Sequence, residues 1–233
     1  MNTEYAVISP SNPEYPEGLR SILADTQLYV IGNLGLLGKR AIGICGSREA
    51  SPEAQDYAFK FGREAANKGF VVVSGYARGV DRQAHRGALE AGGATIAVLP
   101  EGINYFRLVR ELKPLVDLGR NFLAISMFDP DAVWKSWQAM ERNKVIVALS
   151  MSLFVVEARA RGGTINAAME CVRQKKSLWA IAYSKELAGR EGNRKLLQAS
   201  AIPLKRQSDL RKALEESASK PVEEVSQLAL NLL

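Results

Sequence analysis

From residue 41 onward, short runs that are apolar throughout alternate with longer stretches in which apolar residues recur every three or four positions. The runs are AIGIC at 41–45, FVVVS at 70–74, TIAVLP at 95–100, FLAIS at 122–126, LFVVEA at 153–158, LWAIAY at 178–183 and AIPLK at 201–205. Continuous apolar character, rather than alternation, predicts six or seven parallel strands covered on both faces. Between them, Ser51 as N-cap, Pro52 at the first helical position and Gly69 just past the end delimit a helix. Its Ala54, Tyr57, Ala58, Phe61 and Ala65 make one stripe for the sheet. A second helix is expected to start at Asp81 as its cap and to end near Ala91, Gly92 and Gly93; a third covers 107–118, kinked or divided at Pro114. Residues 131–150 read as one long helix or two short ones, with Trp134, Trp137, Met140, Val145 and Leu149 facing inward. These tryptophans are read as packing rather than as a stacking platform for bases. Further helices are expected at 164–174, at 192–199 and from Ser208. The alternation predicts an α/β fold, a Rossmann-like doubly wound, mostly parallel sheet with helices on both faces.

Residues 1–40 differ in texture, with Pro10, Pro13 and Pro16 followed by Leu19, Ile22 and Leu23, and are read as an N-terminal arm packed on the core. Residues 41–212 form the Rossmann-like domain, and 213–233 a C-terminal helical tail whose Val222, Val225, Leu228 and Leu232 share one side. That side is expected to dock on the body or on another chain. The 233 residues are 47% hydrophobic and 24% charged, an ordinary globular composition. No run approaches the ~18 apolar residues of a membrane span, and the first residues lack a secretory signal, so a cytoplasmic address and no membrane partner are expected. Cys45 and Cys171 lie far apart in apolar settings and are read as buried thiols rather than a disulfide or zinc site. With one histidine in the chain, His85, neither a metal nor a cofactor is expected.

The net charge of +6 favours a polyanionic partner without naming it. Its distribution says more. In a parallel sheet every loop that follows a strand emerges at the carboxyl edge, where ligands bind. There the loops GSREAS, SGYARGVDRQAHRG and EARARGG bring Arg48, Arg78, Arg82, Arg86, Arg159 and Arg161, with Arg142 and Lys144 expected close by. Gly46, Gly75, Gly79, Gly162 and Gly163 allow tight turns in which amides and helix N-termini face an anion, so Gly46, Ser47 and Arg48 read as one wall of a phosphate site. Asp81 is expected to cap its helix and fix the arginines around it. Glu157 is expected to orient Arg159 or Arg142, or to act on a substrate. His85, four residues beyond Asp81, has spacing for a hydrogen bond to it and reads as a partly buried structural residue, since no nucleophile with an evident partner accompanies it.

In order and spacing, GSREAS, VVSGYARGVDRQAHRGALEAGGATIAVLPEGI, ERNKVIVALS, VVEARARGGTINAAMECVRQKKSLWAI and GNRKLLQASAIPL resemble the DNA-processing protein DprA family, also called Smf, over residues 5–212. The resemblance places the family's GSR motif on Gly46, Ser47 and Arg48, its SG-A-GID stretch on Ser74, Gly75, Ala77, Gly79, Val80 and Asp81, and its RNR motif on Arg142, Asn143 and Lys144. It implies single-stranded DNA as partner, a homodimer, loading of the RecA recombinase during natural transformation, and no catalytic residue. Departures are the missing tyrosine-proline after GIN, the missing serine-glutamate before Pro130, and RARGGTINAA in place of SGSL-TA. No winged-helix domain is expected after residue 212, and no separate N-terminal helical domain before residue 5. The alternative is a nucleotide-binding or nucleotide-hydrolysing enzyme like the LOG phosphoribohydrolases, which CGSRE and ARGGTINAAME also resemble. Against it, Asn166 stands where that family has its catalytic glutamate.

Overall fold

The computed structural model describes residues 4–219 apart from 24 and 186. Nine strands among these residues form one sheet: β1 (Ala6–Ile8), β2 (Leu28–Gly32), β3 (Ala41–Cys45), β4 (Val71–Ser74), β5 (Thr95–Val98), β6 (Phe122–Ser126), β7 (Ser152–Val155), β8 (Ser177–Ile181) and β9 (Ile202–Leu204). Their order is β1-β2-β6-β5-β4-β3-β7-β8-β9. Every pairing from β6 across to β9 is parallel, so the seven apolar runs form one parallel block. The first forty residues add β1 and β2, both antiparallel, at the β6 edge. From β3 the chain winds outward through β4, β5 and β6, then returns to β7 on the other side of β3. The loops after β3 and β7 therefore flank the point where the winding reverses, which is where a crevice opens in such sheets.

Among the described residues, seven α-helices accompany the sheet: α1 (Glu17–Leu23), α2 (Pro52–Asn67), α3 (Val80–Glu90), α4 (Ser136–Ala148), α5 (Gly163–Arg173), α6 (Glu191–Ala199) and α7 (Gln207–Ser219). Because side chains alternate along a strand, Val71, Val73, Leu153 and Val155 pack on the face covered by α1, α4, α5 and α6. Ile42, Ile44, Val72, Phe154 and Trp179 pack on the face covered by α2, α3 and α7. The sheet is thus doubly wound. Ser51 caps α2 by accepting from the Ala54 amide at 3.2 Å, as its sequence predicts. Cys45 and Cys171 are free, buried thiols. The amphipathic segment containing Val222, Val225, Leu228 and Leu232 lies outside the described residues.

Two expected elements differ. Residues 107–118 form turns rather than a helix. Pro114 has no amide to donate and disfavours helical geometry at Lys113, so the segment closes through short bonds such as Leu112 and Lys113 to the Val109 carbonyl. In α4 the inward stripe is Gln138, Arg142 and Val145, while Trp137 and Met140 are 51% and 43% exposed, and Trp134, before the helix begins, is 45% exposed. The expectation that these three face inward is therefore wrong. Trp137 and Met140 share their side of the helix with the ion-paired Glu141 and Lys144, a solvent-facing stripe at helical spacing.

His85 is completely buried, and its partner is not Asp81. Its Nδ1 lies 2.5 Å from the Thr95 hydroxyl. That hydroxyl donates its own hydrogen to the Val72 carbonyl at 2.6 Å, so Nδ1 carries the proton and the ring is neutral. Nε2 has no partner among the described residues, and a second proton would sit in apolar surroundings near Arg142. Burial, reinforced by the Arg142 charge, lowers the His85 pKa to about 3. The folded state thus refuses a proton that the unfolded chain accepts near pH 6.5. The resulting stability is complete above that pH and is lost progressively toward pH 3. Urea unfolding of the wild type between pH 7 and 5 should show a loss approaching about 1.4 kcal/mol per pH unit relative to His85→Gln, which lacks this titration; parallel pH profiles would contradict the assignment.

Candidate nucleic-acid interface

At the reversal point a cavity of about 570 Å³ opens between the loop after β3, the loop between β4 and α3, the first half of α4, and the loop leading from β7 into α5. Gly46, Ser47, Arg48, Arg78, Asp81, Arg142, Asn143, Arg161, Gly162 and Gly163 of the sequence-predicted set line it. Ser74, Gly75, Gly79, Lys144, His85 and Glu157 do not, and each has another identifiable role.

The floor is built on Arg142. This guanidinium is 4% exposed, and its Nη1 donates to the Val98 carbonyl at 3.0 Å. Gly75 passes directly over it, since a Cβ at that position would stand 1.6 Å from Nη1. Ser74, completely buried, uses its hydroxyl to hold the Ile44 carbonyl at 2.6 Å, which joins β4 to β3. Asp81 lies in the first turn of α3 and is not its cap. The N-cap is Gly79, whose φ of +75° favours glycine and whose missing side chain admits the Ser47 and Arg48 carbonyls. The Asp81 carboxylate accepts from the Ala77 amide at 3.3 Å. Burial raises its pKa, while the nearby Arg142 charge opposes that rise. Burial likewise raises Glu101.

The rim is more cationic. Arg48, Arg78 and Arg161 are exposed, and among the described residues none of them has a carboxylate within ion-pair distance. Arg48 lies over the Trp134 ring with its guanidinium carbon 5.7 Å from the centroid. Arg159 also reaches the cavity but is tied to Glu49. Asn143 donates to the Gly163 carbonyl and to Asn166 Oδ1, both at 3.0 Å, which fixes the amino-terminal end of α5 against the cavity wall. A helix start with glycines and three unpaired guanidinium groups is suited to phosphate oxygens.

Other expected members lie elsewhere. Arg82 faces Glu111 at 3.7 Å and Arg86 binds Glu90 at 2.6 Å, so neither contributes to the mouth. Lys144 is paired with Glu141 at 2.7 Å and does not line the cavity. Glu157 orients neither Arg159 nor Arg142. Its carboxylate accepts from the Ser51 amide at 2.9 Å and hydroxyl at 2.6 Å, and lies 3.5 Å from Arg190 Nε. It therefore locks the start of α2 to the end of β7. Trp134 and Met140 line the cavity although the sequence reading placed them in the core. The signal that locates them is the charged pair on the same helical side.

The family model described as DNA recombination-mediator protein A matches residues 6–215. The chain belongs to this family. It is 28% identical to DNA processing protein DprA of Bacillus subtilis over 88% of its own length and 70% of that protein's. It is 30% identical to Protein Smf of Escherichia coli over 83% of the chain and 52% of the relative, so it spans about half of that protein. Among solved structures, DprA from Streptococcus pneumoniae superposes with a TM-score of 0.80 at 27% identity, covering 91% of this chain and 75% of that one. DNA processing protein A from Helicobacter pylori, solved to describe its single-stranded DNA binding mode, superposes with a TM-score of 0.78 at 23% identity, covering 93% and 99%. The latter likeness shows the fold. The resemblance stated from the motifs is thus borne out at the level of family and fold.

Glu157→Ala removes a carboxylate that is 3% exposed from between Ser51 and Arg190. It is expected to lower the unfolding free energy by about 3 kcal/mol in urea titration. Unchanged stability would contradict the locking role.

Proposed function

We propose that this member of the family binds single-stranded DNA through the cavity at the reversal point and acts as a recombination mediator. The observation that carries the reading is the convergence of Arg48, Arg78 and Arg161, from three separate loops and without carboxylate partners among the described residues, at one crevice closed by the start of α5. Guanidinium groups on backbone phosphates bind without regard to sequence and steer a polyanion by charge. A volume of about 570 Å³ is that of a small-molecule pocket and admits a short stretch of one strand rather than a duplex.

Transfer of the coated strand to a RecA-type recombinase, function as a homodimer and a cytoplasmic location complete the proposal; they draw support from family membership. No helix among the described residues is long and apolar enough to cross a membrane. The binding role needs no catalytic step. Where the related hydrolases would place a glutamate, Asn166 is engaged by Asn143 at 3.0 Å, an arrangement that supports the wall of a binding site rather than a general base.

The test is oligothymidylate binding by fluorescence anisotropy across a salt series. Changing Arg78 and Arg161 together to alanine should weaken binding at every salt concentration. It should also flatten the log-log salt dependence by about 0.7 for each phosphate that is no longer neutralised. A double variant with wild-type affinity and slope would refute the proposed site.

A further inference from the structure

We propose that Trp134 and Trp137 form a base-stacking platform beside the basic cavity, receiving bases of the strand whose backbone the arginines hold. The inference rests on the single-strand reading above and adds a second recognition chemistry to it.

Of the three tryptophans in the chain, Trp179 is 4% exposed and stacks on Phe154 within the core. Trp134 and Trp137 are about half exposed, and Val133 and Met140, in the same short stretch of chain, are exposed as well. The other large exposed apolar side chains among the described residues, such as Val7, Tyr105 and Leu187, come from separate parts of the chain. An aromatic patch of this kind is costly to leave in water unless it has a use. Each ring is also held in place. Arg48 covers Trp134 at 5.7 Å, and Phe128 meets Trp137 edge-to-face at 5.8 Å and 88°. Rings fixed by a partner lose little freedom when a ligand stacks on them.

The position of the patch indicates its occupant. Trp134 and Met140 are part of the cavity wall, together with Arg48, Arg78 and Arg161. A molecule that satisfies both the unpaired guanidinium groups and the indole faces must carry regularly spaced anions and flat π-systems. A single nucleic acid strand does both, since its phosphates face the arginines and its unpaired bases are free to stack. Arg48 touches both chemistries, because it projects from the phosphate-facing loop and lies on the Trp134 ring. Stacking of this type tolerates any base.

The experiment compares oligothymidylate with an abasic oligomer of equal length and charge, read by anisotropy and by tryptophan fluorescence. The wild type should bind oligothymidylate roughly ten- to a hundredfold more tightly than the abasic strand, with quenching only in the presence of bases. Changing Trp134 and Trp137 together to alanine should abolish this preference, while Trp134→Phe with Trp137→Phe should keep most of it. Equal wild-type affinity for the two strands would overturn the platform and leave the backbone site intact, as would a preference that survives in the alanine variant. Failure of the wild type to bind either strand would overturn the single-strand reading and the platform with it.

Discussion

The architecture of the site depends on one buried charge. The Arg142 guanidinium, projecting from α4, sits beneath the backbone at Gly75 and against the Val98 carbonyl, with Asp81 as its compensating carboxylate. Removing an ion from water costs several kcal/mol unless its partners stay in place. The ends of β4 and β5, the first turn of α3 and the middle of α4 are therefore held in a single arrangement. The same arrangement brings the exposed Arg48, Arg78 and Arg161 to the rim above it, and these are the groups to which the proposal assigns the ligand.

A second set of buried polar contacts ties together the elements that carry that rim. Glu157 binds the start of α2 to the end of β7 through Ser51 and is backed by Arg190, which also pairs with Glu53 at 2.6 Å. Asn143 secures the start of α5. His85 and Thr95 join α3 to β5 and, through Val72, to β4. Such residues have the look of catalytic candidates in a sequence, yet each makes buried contacts that tie one element to another. The groups proposed to face the ligand are instead exposed side chains on loops, supported by this frame.

Much of this was legible from residue types alone. The seven apolar runs gave the parallel strands because burial on both faces leaves no polar positions to interrupt them. Ser51 and Pro52 marked the start of α2 because the requirements of a helix start are local. Three of the rim arginines followed from the rule that strand-following loops share an edge. Pairing is what the sequence conceals. Nothing in the local pattern separates Arg78, which has no carboxylate within ion-pair distance among the described residues, from Arg82 and Arg86, which are neutralised by Glu111 and Glu90. The same limit explains Glu157, whose partner Ser51 is more than a hundred residues away. The tryptophans were misread for a different reason: an aromatic residue at helical spacing fits a core stripe and a solvent stripe equally well, and the choice is made by what the rest of the fold covers.

The central claim is that the crevice between the β3 and β7 loops holds the backbone of a single strand. A crystal structure of the protein with a short oligothymidylate tests it most directly. The account predicts phosphates within hydrogen-bonding distance of Arg48, Arg78 and Arg161 and of the first amides of α5. A strand lying on another face, with the crevice occupied only by solvent, would contradict it.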